Sequence, residues 1–193
     1  MKKFKNLRYG FSFKQYANYF KYKISKKETN LKYKPIWLLL YLSDLCNLKC
    51  AMCPHHSDYD NSFAFQKQLD NKFMDIELIK KIFKKNKEAI FVMLGGVGEP
   101  FMHPNFLDIV DLCSKEKKKI NIITNGTLLN NENMKHLVKN KMVNQISISL
   151  NASNSTDYAA ICNVNKNVFG KVVDNISKLI HLKKVMVLKW KLW

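Results

Sequence analysis

Two hydrophobic rhythms alternate along this chain. Short apolar or alternating runs of strand type occupy residues 36–42, 89–94, 120–124 and 145–150, and a last one begins at 185–188. Between them, apolar residues recur at helical spacing. Ile76, Ile79, Ile82 and Phe83 form one stripe behind Asp75 and Glu77, acidic residues suited to a helix's first turn. Phe106, Ile109, Val110 and Cys113 form a second, behind His103-Pro104 at the predicted helix start, and Met134, Leu137 and Val138 a third. A long helical region follows, first over 158–162 and then along Phe169, Val172, Val173, Ile176, Leu179 and Ile180. Strands separated by helical patterns predict a parallel, right-handed βα array. The run 36–42 is apolar throughout, which predicts a strand buried on both faces. It is too short to cross a bilayer.

Residues 1–34 stand apart. They carry eleven positive charges and one negative, Glu28. Phe13, Tyr16, Ala17, Phe20 and Ile24 fall on one helical face. Two readings suit this segment: a helix packed on the outside or bottom of the βα body, or a basic amphipathic helix lying on a membrane surface or a partner. Pro35 closes it, dividing the chain into a basic aromatic extension, 1–35, predicted to be helical, and a core, 36–193. The N-terminus has neither the apolar core nor the cleavage site of a signal peptide.

The 193 residues suit one domain with a real core, and 47% hydrophobic residues suit a globular one. The net charge of +18 comes from 32 lysines and a single arginine, Arg8. Sequence-specific nucleic-acid readout leans on arginine's bidentate fork, so this balance disfavours that function.

Three of the five cysteines, Cys46, Cys50 and Cys53, fall within eight residues, CNLKCAMC. Thiolates this close on one loop can converge on a soft centre, zinc or an iron–sulfur cluster. A structural zinc site wants four protein ligands, for which His55 or His56 would be the fourth. Cys113 and Cys162 lie in predicted helices, where buried packing is expected. No disulfide framework is visible, which suits a reducing cytosol. Three of the six glycines gather in Gly95-Gly96-Val97-Gly98-Glu99-Pro100, after the second strand. Glycine there lets main chain or ligand approach closely. The stretch is neither a Walker P-loop nor a G-x-G-x-x-G turn. Thr124-Asn125-Gly126 ends the third strand as a turn signal. In Ser149-Leu150-Asn151-Ala152, strand alternation puts Ser149 and Asn151 on one side.

The cysteine loop resembles that of the radical S-adenosylmethionine (radical SAM) enzymes, C-x3-C-x-Φ-C, with Met52 at the apolar position Φ. The later motifs follow in that family's order over residues 36–190. The resemblance implies an α/β fold, a partial (β/α)6 TIM-like barrel. It implies a [4Fe–4S] cluster on Cys46, Cys50 and Cys53, whose fourth iron takes the amino and carboxylate groups of SAM. Gly96, Val97, Gly98 and Glu99 match the family's second-strand motif, whose backbone accepts hydrogen bonds from the SAM amino group. A structural cap is the other reading of Glu99. Thr124 and Asn125 match the polar third-strand end beside SAM. Ser149 and Asn151 match the motif that bonds its ribose and carboxylate.

The implied activity is reductive cleavage of SAM to a 5′-deoxyadenosyl radical that takes hydrogen from a substrate, a peptide or small metabolite rather than RNA. The alternative is a non-catalytic iron–sulfur or zinc protein without turnover. An acidic flavodoxin or ferredoxin would be the reductant, steered by the basic surface, and the cytoplasm the location. The chain departs from the family in its last part. It shows five strands rather than six, no glycine signature near residues 186–190, and no C-terminal cysteine cluster. The expectation is therefore a C-terminally truncated barrel, or one completed by a missing segment or a partner.

Overall fold

Four of the strand-type runs become strands of one sheet, and each is followed by its helix. The structure is a computed structural model; it describes residues 10–25, 30–58 and 72–185. Strands β1 (Trp37–Leu40), β2 (Phe91–Leu94), β3 (Lys119–Thr124) and β4 (Val143–Ile148) lie in sequential order, all neighbours parallel. The predicted fifth strand falls mostly on 186–193, outside the described residues. Val185 ends a helix instead.

The helices are α1 (Phe13–Ile24), α2 (Ile76–Lys85), α3 (Phe106–Lys115), α4 (Asn131–Lys139), α5 (Ser155–Cys162) and α6 (Asn167–Val185). Asp75 caps α2 by accepting from Glu77 N–H, and Asn130 with Asn133 forms a capping box on α4. The stripes of α2, α3 and α4 meet one sheet face. Ile79, Phe83, Ile109, Val110, Leu137 and Val138 share a core with Leu40, Val92, Leu94, Ile120, Ile122 and Ile146. Sequential order with helices against one face is the architecture of a partial α/β barrel, and it sends every strand's C-terminal end to the same rim.

The opposite face is open at the first strand. Trp37 and Leu39 are 48% and 51% exposed, although Trp37 stacks on Phe91 with ring centroids 4.5 Å apart. The expectation that β1 is buried on both faces therefore fails. The helices cover only the face that carries Leu38 and Leu40, and among the described residues nothing lies over the Trp37 and Leu39 face enough to bury it.

The other rim, where the strands begin, is sealed by polar groups. Lys118 is fully buried, and its Nζ donates to the carbonyls of Asn86 (2.9 Å), Lys87 (3.1 Å) and Ala89 (2.7 Å). Helix α1 docks nearby through side-chain amides. Gln15 Nε2 donates to Ala89 O and Lys117 O, both at 3.1 Å. Asn18 pairs with the main chain of Lys34 in both directions. Its place at the bottom of the βα body matches the first reading of the basic segment, yet the buried face carries Gln15 and Asn18, and the apolar stripe points outward.

Burial pulls Lys118 down from its ordinary 10.5 to about 8, so at pH 7 it keeps the three protons that the carbonyls take up. Lys118→Met fills the volume but leaves those acceptors unpaired. The expected loss is about 3 kcal/mol, read as a lower urea midpoint with an unchanged slope. A midpoint equal to the wild type would show that water replaces the ammonium.

Candidate metal centre

Every candidate site residue lies at the C-terminal rim of the sheet, Thr124 as the last residue of β3 and the others on the loops that leave the rim. The cysteine loop follows β1. Its shape starts with Ser43, whose Oγ accepts from Leu45 N–H at 3.0 Å and donates to Leu45 O. Leu48, between the first two cysteines, is buried with Tyr158, Cys162 and Val172 and roots the loop in α5 and α6. Ala51 N–H donates to Ile161 O at 2.8 Å, and Cys53 N–H turns back to Cys50 O at 2.9 Å. Cys46, Cys50 and Cys53 are all half-buried and reduced. Met52 projects outward and is exposed, while His55 and His56 lie half-buried just beyond Cys53.

The glycine loop after β2 is stitched to this one through main chain. Gly98 N–H donates to Ser43 O at 3.0 Å and Glu99 N–H to Leu45 O at 2.8 Å. A Cβ on Gly98 would stand 2.3 Å from Leu45 O, so a side chain there would force the two loops apart. Gly96, at φ +138°, lies against the Tyr41 ring, where a Cβ would be 2.0 Å from a ring carbon.

Glu99 is 2% exposed, and its carboxylate is taken up by the protein's own donors. Oε1 accepts from Thr124 Oγ at 2.7 Å and from Phe101 N–H at 3.2 Å; Oε2 accepts from Asn125 N–H at 2.7 Å. It thus caps the 3-10 turn Pro100–Met102 and ties it to the end of β3. Burial raises its pKa above the ordinary 4.5, against these three hydrogen bonds. From β3, the Asn125 amide donates to Asn47 Oδ1 at 2.9 Å and stands 4.0 Å from Cys46 Sγ. Thr127 Oγ closes the network, accepting from Asn47 Nδ2 at 2.8 Å and donating to Asn125 Oδ1 at 2.6 Å. Asn175 of α6 holds Gly126 O at 3.0 Å.

The fourth-strand motif differs in detail. β4 ends at Ile148, so Ser149 and Asn151 lie beyond it. Tight hydrogen bonds from Leu150 N–H to Ile148 O and from Ala152 N–H to Leu150 O curl the chain, and Asn151 is left-handed at φ +58°. Strand alternation therefore does not govern these two side chains. Ser149 N–H still donates to Thr124 O at 2.9 Å, which keeps the loop on the rim. Among the described residues, neither side chain has a hydrogen-bond partner.

Cys46 and Cys50 are both held above the ordinary thiol range. Burial is the main cause that pushes Cys46 up; the charges of Glu99 and Cys53 add to it, and hydrogen bonds from Leu48 N–H and Asn125 oppose it. Cys50 is pushed up to about 12, by burial first and then by the neighbouring Cys162 thiol. Sequestered sulfurs of this kind stay protonated until a cation replaces the protons. Among the described residues, no group of three or more His, Cys, Asp or Glu side chains is arranged to hold a single metal ion. The donor chemistry suits an iron–sulfur cluster: three soft sulfurs on one loop, with N–H groups turned toward one of them.

Sequence reasoning missed Asn47, Leu48, Thr127, Cys162 and Asn175 as parts of this site. Asn175 left a signal, a polar residue on the same helical face as Val172 and Leu179. Cys162 was expected only to pack. It is buried in the cluster that Cys50 packs against, and its nearness pushes the Cys50 thiol up.

Comparison with known proteins bears on this geometry. The sequence model of the radical SAM superfamily matches residues 40–188. The chain is 35% identical over 108 residues to the tungsten-containing aldehyde ferredoxin oxidoreductase cofactor-modifying protein of Pyrococcus furiosus, covering 53% of this chain and 27% of that protein. It is 32% identical over 126 residues to the antilisterial bacteriocin subtilosin biosynthesis protein AlbA of Bacillus subtilis, covering 63% and 25%. It thus spans about a quarter of the length of these relatives. Among solved structures, Streptococcus suis SuiB bound to S-adenosylmethionine superposes with a TM-score of 0.61 at 22% identity, over 82% of this chain and 33% of that one. The anSMEcpe protein with bound AdoMet does so at 0.58 and 22%, over 81% and 43%. At such identity the likeness is one of fold, and it bears out the partial barrel.

The strut formed by Glu99 gives the site a pH signature. A carboxyl raised in the folded state keeps its proton where the unfolded chain has lost it. Its stabilising contribution is full below pH 4.5 and is lost as pH rises through the folded value. Glu99→Gln keeps an oxygen for Asn125 N–H and removes the titration. In the metal-free protein, the urea midpoint of wild type relative to E99Q should therefore fall as pH rises from below 4.5 toward neutrality. A difference that is flat over that window would mean the carboxylate is not desolvated.

Proposed function

The chain belongs to the radical SAM superfamily, and from that premise we propose that it binds a [4Fe–4S] cluster through Cys46, Cys50 and Cys53 and cleaves S-adenosylmethionine reductively. The observation that carries this reading is the Asn47–Asn125–Thr127 network, which sets Cys46 against the polar ends of the other strands. When bound, the cluster and SAM supply an electron and a sulfonium leaving group, giving methionine and a 5′-deoxyadenosyl radical that abstracts hydrogen from a substrate.

The chain's own residues hold and orient. The N–H groups of Gly98 and Glu99 are used between loops and the Glu99 carboxylate is used at β3. Among the described residues, the carbonyls of Gly96, Val97 and Gly98 accept no hydrogen bond, which leaves them for the SAM amino group. Thr124 and Asn125 position this loop and Cys46. The side chains of Ser149 and Asn151 are available to the ribose and carboxylate. Met52, at the apolar position of the motif, shields the outer side of the loop.

We assign the substrate to peptides or small metabolites rather than RNA. The single arginine supports this, as does the likeness to AlbA, named for bacteriocin biosynthesis. The +18 charge suits an acidic flavodoxin or ferredoxin as reductant, and three free thiols suit the reducing cytoplasm. No helix among the described residues is long and apolar enough to cross a membrane.

The test is anaerobic reconstitution with iron and sulfide, followed by EPR of the reduced protein with and without SAM and an assay for 5′-deoxyadenosine. A [4Fe–4S]⁺ signal that shifts with SAM, together with the nucleoside product, is expected. Cys50→Ala should abolish the signal. Asn125→Ala should weaken iron retention by about tenfold or more, as loss of a hydrogen bond to a ligand does. A signal indifferent to SAM, with no product, would make the chain an iron–sulfur protein without turnover. One zinc per chain and no iron would make it a zinc-stabilised domain.

A further inference from the structure

The basic helix at the bottom of the barrel presents to solvent the face that would ordinarily be buried. Phe13, Phe20 and Ile24 are 86%, 60% and 64% exposed and lie along one side of α1, with Tyr16 beside them. Attachment to the barrel does not use Phe13, Phe20 or Ile24. The helix is held from its other side by the amides of Gln15 and Asn18 and by Tyr19, which packs against Phe11 and Ile90, and its start is fixed by the Ser12–Gln15 capping box. An apolar face on a preformed helix, not required by the fold, is left for another surface.

The charges around it say which surface. The helix contains no acidic residue. Lys14 and Lys21 flank one border of the stripe, and with Lys32 and Lys34 they line a cleft of about 490 Å³ in which Glu88 is the single acidic residue among the described ones. On the other border Lys23 lies 5.5 Å from the centre of the Tyr19 ring. Aromatic and branched side chains in a central stripe, with ammonium groups on both borders, match an interface in which rings enter the acyl boundary and lysines reach anionic headgroups. A second copy of the chain would bring segments of net charge +10 together, which like-charge repulsion opposes.

We propose that α1 is a monotopic docking helix that lays the bottom of the barrel on an anionic lipid bilayer. Gln15 and Asn18 contact the chain just ahead of β1, β2 and β3, whereas the cysteine loop leaves the opposite rim. The docked protein therefore turns its candidate metal centre away from the lipid, open to substrate and reductant. This inference does not depend on the cluster or its chemistry.

The experiment is flotation of the 193-residue chain with vesicles of phosphatidylglycerol and phosphatidylcholine, and with phosphatidylcholine alone. Binding is expected to the anionic vesicles, weakened by salt. The double variant Phe20→Ser, Ile24→Ser should bind about tenfold more weakly or less, with an unchanged melting temperature because both side chains are exposed. Lys14→Gln with Lys21→Gln should reduce binding to anionic vesicles at low salt. The proposal is overturned if the chain floats with neither vesicle, or if both variants bind like wild type. It is overturned equally if light scattering shows a dimer that the serine variant dissolves, or if those lysines instead govern binding to RNA while vesicles are ignored.

Discussion

A buried carboxylate holds the functional rim together. Glu99 joins the glycine loop after β2 to the turn after β3 through two hydrogen bonds of 2.7 Å each, and caps a 3-10 turn with a third. Its burial is costly, as its raised pKa records, and the cost is tolerated because no neutral side chain can accept all three bonds as well. With Glu99 in place, the Asn125 amide meets Asn47 and Cys46, and Thr127 locks both. The cysteine loop is thus positioned from the third strand, some eighty residues away in sequence.

The same rim explains why the thiols stay ready for a positive centre. Leu48 pins the loop from below, Gly98 lets the second loop lie against it, and Cys162 contacts Cys50 from behind. Burial and neighbouring sulfurs oppose thiolates at Cys46 and Cys50, an opposition that a positive centre would reverse. The chain belongs to the radical SAM superfamily, and its own residues form the clamp on the cysteine loop. It spans about a quarter of the length of the two relatives compared, so the residues that recognise a substrate need not all lie within it.

The two rims divide the labour. Polar side chains do the work at the bottom, where Lys118 gathers three carbonyls and Gln15 bridges two more. Because α1 docks through the amides of Gln15 and Asn18 and through Tyr19, its apolar stripe of Phe13, Phe20 and Ile24 remains outside. A helix can therefore be amphipathic and still face the solvent with its greasy side, which periodicity does not foresee.

The alternation of strand-type runs and helical stripes was enough to read a parallel βα fold, since each period reflects a geometry local to its own segment. The helix stripes of α2, α3 and α4 were right residue by residue, for their inward faces had one sheet to meet. The three glycines announced a close main-chain approach, and the three cysteines a candidate metal loop, for similar reasons: the absence of a Cβ and ligand spacing are properties of short stretches. Contacts between distant stretches decided the rest. Trp37 is exposed because the helices cover only the opposite face of β1, Ser149 and Asn151 left the strand because the chain curled beyond Ile148, and Glu99 became a strut because Thr124 and Asn125 came to meet it. Cys162 and Asn175 gained roles only when α5 and α6 folded back over the rim. A pattern along one chain records what each residue prefers; which partner it finds is set by packing between segments that the pattern does not relate.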